Sequence, residues 1–124
     1  ITKNMSKTVE NKQENKEILK QFTNWLQDKH LSESTIYNHV SNIDFFANKF
    51  LLYEEAIEVK DGASHISMFL GYWFIRKAMW SSVSQIKNYG ASFKKFYTFM
   101  CEKSYINQDQ LEEMKDMIKE EMPD

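Results

Sequence analysis

The chain has 124 residues, 42% of them hydrophobic and 18 of them aromatic, with a net charge of −2. That length fits one domain, and that stock of apolar side chains builds a core, which excludes wholesale disorder. Three glycines, one proline and one cysteine are too few turn residues for an all-β domain and leave no intramolecular disulfide.

The first predicted segment, residues 1–13, is polar and without period, and is expected to be a flexible lead. Helix one is predicted over 14–29, because Ile18, Leu19, Phe22, Trp25 and Leu26 recur at three- and four-residue spacing. His30-Leu31 is the connection. Helix two starts with Ser32 or Ser34 as N-cap. It buries Ile36, Val40, Ile43, Phe46 with Ala47, and Phe50, and frays near Tyr53–Glu55.

Asp61-Gly62 is the clearest turn signal in the chain. Helix three follows over 64–79. Its residues are apolar nearly all round (Ile66, Met68, Phe69, Leu70, Tyr72, Trp73, Phe74, Ile75), which predicts a central, buried helix. Trp80-Ser81 is the next corner. Helix four opens at Ser82-Val83-Ser84-Gln85, a capping-box pattern, and buries Val83, Ile86, Gly90, Phe93, Phe96, Tyr97 and Met100. Gly90 there predicts close helix packing. Asn107 caps helix five over 108–121, whose apolar edge is Leu111, Met114, Met117 and Ile118, with Pro123 as the stop.

The expected fold is all-α: a four-helix bundle of two helix hairpins, one and two, then three and four, with a fifth, peripheral C-terminal helix. The expected division is a lead over 1–13, a helical domain over 14–106 and an acidic helix over 107–124. Residues 1–105 carry a formal charge of +3 and residues 106–124 a charge of −5, so a mildly basic body bears an acidic tail. With one cysteine, Cys101, and no signal peptide, a cytoplasmic setting is expected, with Cys101 a small apolar filler. The most apolar stretch, 66–75, is too short to span a bilayer, so no membrane partner is expected.

A pattern of nineteen residues occurs twice, fifty positions apart: SESTIYNHVSNIDFFANKF at 32–50 and SVSQIKNYGASFKKFYTFM at 82–100. The shared skeleton is Ser32/Ser82, Ser34/Ser84, Ile36/Ile86, Asn38/Asn88, His39/Tyr89, Ile43/Phe93, Phe46/Phe96 and Phe50/Met100. A weaker echo precedes each copy, FTNWLQDK at 22–29 and LGYWFIRK at 70–77. Two related helix pairs explain both echoes.

No catalytic pattern accompanies this duplication. His30, His39 and His65 fall at no metal-ligand spacing and are expected at surface or boundary positions. No cysteine pair, Gly-rich phosphate loop or Gly-x-Ser-x-Gly elbow is present, and the carboxylate pairs Glu54/Glu55 and Glu112/Glu113 sit on solvated stretches. No enzyme, cofactor, metal or small-molecule ligand is expected. The polar faces of helices two and four are more informative. Helix two offers Ser34, Thr35, Tyr37, Asn38, Ser41, Asn42 and Lys49; helix four offers Ser84, Gln85, Lys87, Asn88, Ser92, Lys94 and Lys95. Amides pair with adenine edges, while hydroxyls and lysines take phosphate oxygens. The plainer alternative is a surface that is polar because surfaces are polar.

These two segments resemble the core-binding domain of phage-integrase-type tyrosine recombinases, a SAM-like N-terminal DNA-binding domain. Three pieces carry the resemblance: FTNWLQDKHLSESTIYNHVSNIDFFANKFL at 22–51, ISMFLGYWFIRK at 66–77, and SSVSQIKNYGASFKKFYTFMCEKSYI at 81–106. In the first, Ser32, Thr35, Ile36, Ile43 and Phe46 fit the family pattern. In the last, Ser82, Ile86, Phe93, Lys94, Phe96, Tyr97, Glu102, Lys103 and Ile106 fit.

The resemblance implies half of a C-shaped clamp on double-stranded recombination-site DNA. The implied contacts are Ser34, Thr35, Asn38 and Asn42 from helix two and Ser84, Lys87, Asn88, Lys94 and Lys95 from helix four. Family catalysis needs two arginines and a tyrosine nucleophile in a separate domain. This chain has a single arginine, Arg76, so alone it is expected neither to cut nor to join DNA. It is either a piece of a longer site-specific recombinase or a free-standing relative. Where the family often has a helix-two Tyr, this chain has His39, and its acidic fifth helix falls where the family's linker runs. The competing expectation is a helical protein–protein interaction module without DNA binding, using 107–124 to hold a partner protein or a second copy. A scaffold without a specific partner is the third.

Overall fold

The computed structural model describes residues 2–53, 55–73 and 83–121, and side chains of 6–53, 55–71 and 84–121. Every regular element among them is helical. The chain divides into two compact units, Ile1–Val59 and Lys60–Asp124.

The first unit is a helical hairpin. α1 spans Thr2–Asp28, and α2 spans Glu33–Phe45 and continues as a π turn over Phe46–Phe50. The buried stripe of α1 is Asn11, Asn15, Ile18, Phe22 and Leu26, each at 2% exposure or less. Four- and three-residue steps keep these side chains on one face. Residues 2–13, expected to be a flexible lead, are therefore helix. No Gly or Pro interrupts them, and the inward positions of this half are asparagines, which hides the apolar period from view. Asn15 Nδ2 donates to Asn48 Oδ1 at 2.8 Å and to Ala47 O at 3.4 Å, and Asn48 Nδ2 donates to Asp44 Oδ1 at 2.6 Å. A polar chain thus ties α1 to the π turn.

α1 stops at His30, whose φ of 61° is left-handed, with the His30 N–H on Gln27 O at 3.0 Å. Ser32 then caps α2: its backbone is extended, and its Oγ accepts the Thr35 N–H at 3.2 Å.

The second unit opens on a 3-10 helix, Val59–His65, that takes up Asp61-Gly62. The expected turn is taken as part of this tight helix, which carries the chain straight into α3. α3 is short, Ile66–Met68, and passes into a π turn, Phe69–Trp73. Ile66, Phe69 and Leu70 are buried but Met68 is 57% exposed. The described part of helix three thus shows one face to water, contrary to the all-round burial expected from its composition. The end of helix three with Arg76, the corner at Trp80-Ser81, the cap at Ser82 and the stop at Pro123 lie outside the described residues.

α4 spans Val83–Glu102 and α5 spans Gln108–Glu121. The core is Phe69, Phe93, Phe96, Tyr97, Phe99 and Met100 with Ile106, Leu111, Met114 and Ile118 from the chain's last part. Phe69 meets Phe93 edge-on at 5.7 Å and Tyr89 tilted at 5.3 Å, arrangements that the ring quadrupole favours. α5 packs against both α3 and α4. It is part of this core and not peripheral to it.

Asn107 caps α5 reciprocally: its Oδ1 accepts the Gln110 N–H at 2.8 Å, and its own N–H donates to Gln110 Oε1 at 2.9 Å. Before it, α4 ends at Ser104, φ 66°. The Tyr105 N–H reaches Met100 O at 2.9 Å and the Ser104 N–H reaches Cys101 O at 3.0 Å, a Schellman ending. The left-handed conformation costs a non-glycine residue about 1–2 kcal/mol, partly offset by the extra freedom glycine has when unfolded. Ser104→Gly is expected to raise stability by about 0.5–1 kcal/mol in urea denaturation.

Tyr97 is fully buried, and burial, helped by the charge of Asp61, holds its hydroxyl pKa well above the ordinary 10.0. Burial pushes Tyr89 up to about 12. Both groups stay protonated in the folded chain while the unfolded chain ionises from about pH 10. This stabilising contribution is therefore complete below pH 10 and is lost as pH climbs toward the folded values. The urea midpoint is expected to fall steadily between about pH 10 and 12, and Tyr97→Phe to flatten that fall.

Candidate nucleic-acid interface

Five of the predicted contact residues lie on α4, and the helix gathers them. At 100° per residue, Ser84, Lys87, Asn88, Lys94 and Lys95 fall within one third of its circumference. Ser84, Lys87 and Lys94 are exposed, and Asn88 and Lys95 half-buried. Ala91 and Thr98 complete this face, and no carboxylate enters it before Glu102. The opposite face of α4 is Phe93, Phe96, Tyr97 and Met100, all at 0% exposure, so packing fixes which way the lysines point. No ion pair engages Lys87, Lys94 or Lys95 among the described residues. On α5, Glu112 and Lys115 stand 3.8 Å apart.

On α2 the predicted residues separate. Ser34 is exposed and Asn38 half-buried, on one face with the half-buried Ser41. Thr35 turns toward its own cap, where Ser32 Oγ donates to Thr35 Oγ1 at 2.9 Å. Asn42 is buried, at 9% exposure, and does not belong to the outward face. It sits beside Ile43 on the core side of the helix, where residue type alone misplaces it. The same holds for His39, at 5%, expected at a surface or boundary position, and for Ser92, at 0%, expected on the outer face of helix four.

One exposed residue stands out that the predicted contact set omits. Tyr37, 76% exposed, occupies the α2 face between Ser34 and Ser41. The available signal is an aromatic ring three residues after Ser34 on an otherwise polar face. The α2 and α4 faces belong to the first and second units respectively.

The two copies of the nineteen-residue pattern keep the same inward positions: 42/92, 43/93, 46/96 and 47/97 are buried in both, and 34/84, 37/87 and 44/94 are exposed in both. The duplication is thus a duplication of helix packing, with the outer faces left to differ.

A crevice of about 140 Å³ lies between the 3-10 helix and α5, lined by Lys60, Asp61, Ser64, Gln110, Glu113 and Met117 among others. Among the described residues, no three His, Cys, Asp or Glu side chains converge as a metal site does. No helix among them is long and apolar enough to cross a membrane. No protein-family model, curated protein or solved structure matches the chain.

Proposed function

We propose that this chain is a non-catalytic, duplex-DNA-binding helical domain of the core-binding kind found in phage-integrase-type site-specific recombinases. Its hairpins would form the SAM-like four-helix arrangement of that family. The observation that supports this most is the outer face of α4, where Lys87, Lys94 and Lys95 project from a helix anchored by a fully buried aromatic stripe. The hydroxyl and amide of Ser84 and Asn88 lie among them. Lysines so placed neutralise phosphates and release counterions, which gives affinity without sequence preference. Ser34 and Asn38 of α2 would add to the contact set, and Thr35, turned to its own cap, would not. Asn42 does not belong to it.

With three lysines engaged, the slope of log affinity against log salt concentration is expected near −3, since each phosphate contact contributes about 0.9. Lys94→Glu with Lys95→Glu is expected to abolish retention of duplex in a gel shift at low salt. Both positions point away from the core, so the double variant should keep its helical circular dichroism. Undiminished retention by a folded double variant overturns the proposal.

The competing interaction-module reading used the apolar edge of 107–124 to hold a partner. Leu111, Met114 and Ile118 are buried at 4% exposure or less within their own unit. A partner for that edge would have to displace α5 from its seat, which favours the DNA-binding reading.

A further inference from the structure

The two copies share the buried positions 42/92, 43/93, 46/96 and 47/97, and the differences on their outer faces follow one chemical theme. Counting outward positions at the fifty-residue offset, Ser34/Ser84 and Asn38/Asn88 are unchanged. Lys87 is replaced by Tyr37, Lys94 by Asp44 and Lys95 by Phe45. All three cations of the second copy are thus lost from the first. α2, Glu33–Phe45, contains no lysine or arginine at all, and carries carboxylates at Glu33 and Asp44. The one lysine of this copy, the exposed Lys49, lies beyond α2 on the π turn, where the second copy has the buried Phe99, so α2 itself gains little from the phosphate backbone. Yet it holds a tyrosine ring at 76% exposure, flanked by small hydroxyl residues and one amide, with no hydrogen bond or ring contact to the phenol among the described residues.

We propose that the copies have divided the work of duplex recognition. α4 holds the backbone, and α2 reads base edges, with Tyr37 as the specificity-determining residue. This rests on the duplex-binding reading above. The base pair that fits is A·T, because the ring packs on the thymine methyl. Ser34 and Ser41 are small enough to let the helix approach the groove floor. The carboxylate of Asp44 does not oppose this role, because it lies at the far end of the face, held by Asn48 Nδ2 at 2.6 Å.

The test uses the full chain and a pool of random-sequence duplexes, bound at low salt and sequenced after selection. The wild type is expected to enrich sites with a fixed A·T step. Tyr37→Ala should keep the affinity for unselected duplex and the salt slope, and lose about tenfold to hundredfold in preference for the enriched site. Lys87→Gln should do the reverse, making the salt slope shallower by about one unit while enriching the same sequence. Tyr37→Phe, which keeps the ring, should retain most of the preference. If Tyr37→Ala enriches the wild-type sequence undiminished, or if it alters the salt slope as a lysine variant does, the division of labour is wrong. If the wild type retains duplex but enriches nothing, this inference falls and the backbone-binding reading stands. If it retains no duplex, both fall.

Discussion

Phe93→Ala is expected to lower the stability of the second unit by about 3–5 kcal/mol. The ring is at 0% exposure, meets Phe69 edge-on at 5.7 Å and Tyr89 at 6.1 Å, and sits midway along α4. Removing it costs the transfer free energy of the ring and leaves a cavity whose walls are themselves aromatic, rigid and slow to collapse. Against a total of about 5–15 kcal/mol for a domain, a loss of this size brings the chain near its unfolding threshold. Urea denaturation followed by circular dichroism measures it. Tyr37→Ala, at an exposed site, is the reference and should change stability by no more than about 0.5 kcal/mol. A loss below about 1 kcal/mol for Phe93→Ala would place the core of this unit elsewhere.

The second large effect concerns two asparagines one turn apart, and the expected signs are opposite. Asn15 is 2% exposed and donates to Asn48 Oδ1 and to the buried Ala47 O. Asn15→Leu leaves those acceptors without their donor, at about 1–3 kcal/mol. Asn11 is equally buried, but its Nδ2 has no hydrogen-bond partner among the described residues. Its amide has been taken out of water without return. Asn11→Leu should therefore raise stability by about 1 kcal/mol. Parallel urea titrations of the two variants give the answer. Equal losses in both would mean that shape, rather than hydrogen bonding, governs this face of α1.

The sequence is legible where apolar residues mark the inward face and hydroxyl or amide residues mark a helix start. The stripe Ile18, Phe22, Leu26 locates α1, Ser32 and Asn107 locate the next starts, and the fifty-residue echo identifies matching inward positions on α2 and α4. It is illegible where polar residues go inside. Asn11 and Asn15 interrupt the apolar period, and the first half of α1 then looks like a tail. His39, Asn42 and Ser92 look like surface and are buried. Composition also misjudges helix shape, since nothing in FANKF or FLGYW announces a π turn. For the candidate interface, the α4 lysines follow directly from helical spacing. Tyr37 becomes conspicuous only when exposure is known, because an aromatic residue on a helix is more commonly core.

The Asn15 contact has a consequence beyond its strength. An oily stripe of Ile18, Phe22 and Leu26 is nearly indifferent to axial slip: shifted by one turn, about 5.4 Å, it offers similar side chains to similar neighbours. A directional amide is not indifferent, because one alignment alone sets Asn15 opposite Asn48. The asparagine thus works as a one-way catch on a sliding rod: it opposes the slip that would set Leu19 opposite Asn48, whereas the reverse slip would bring Asn11 there.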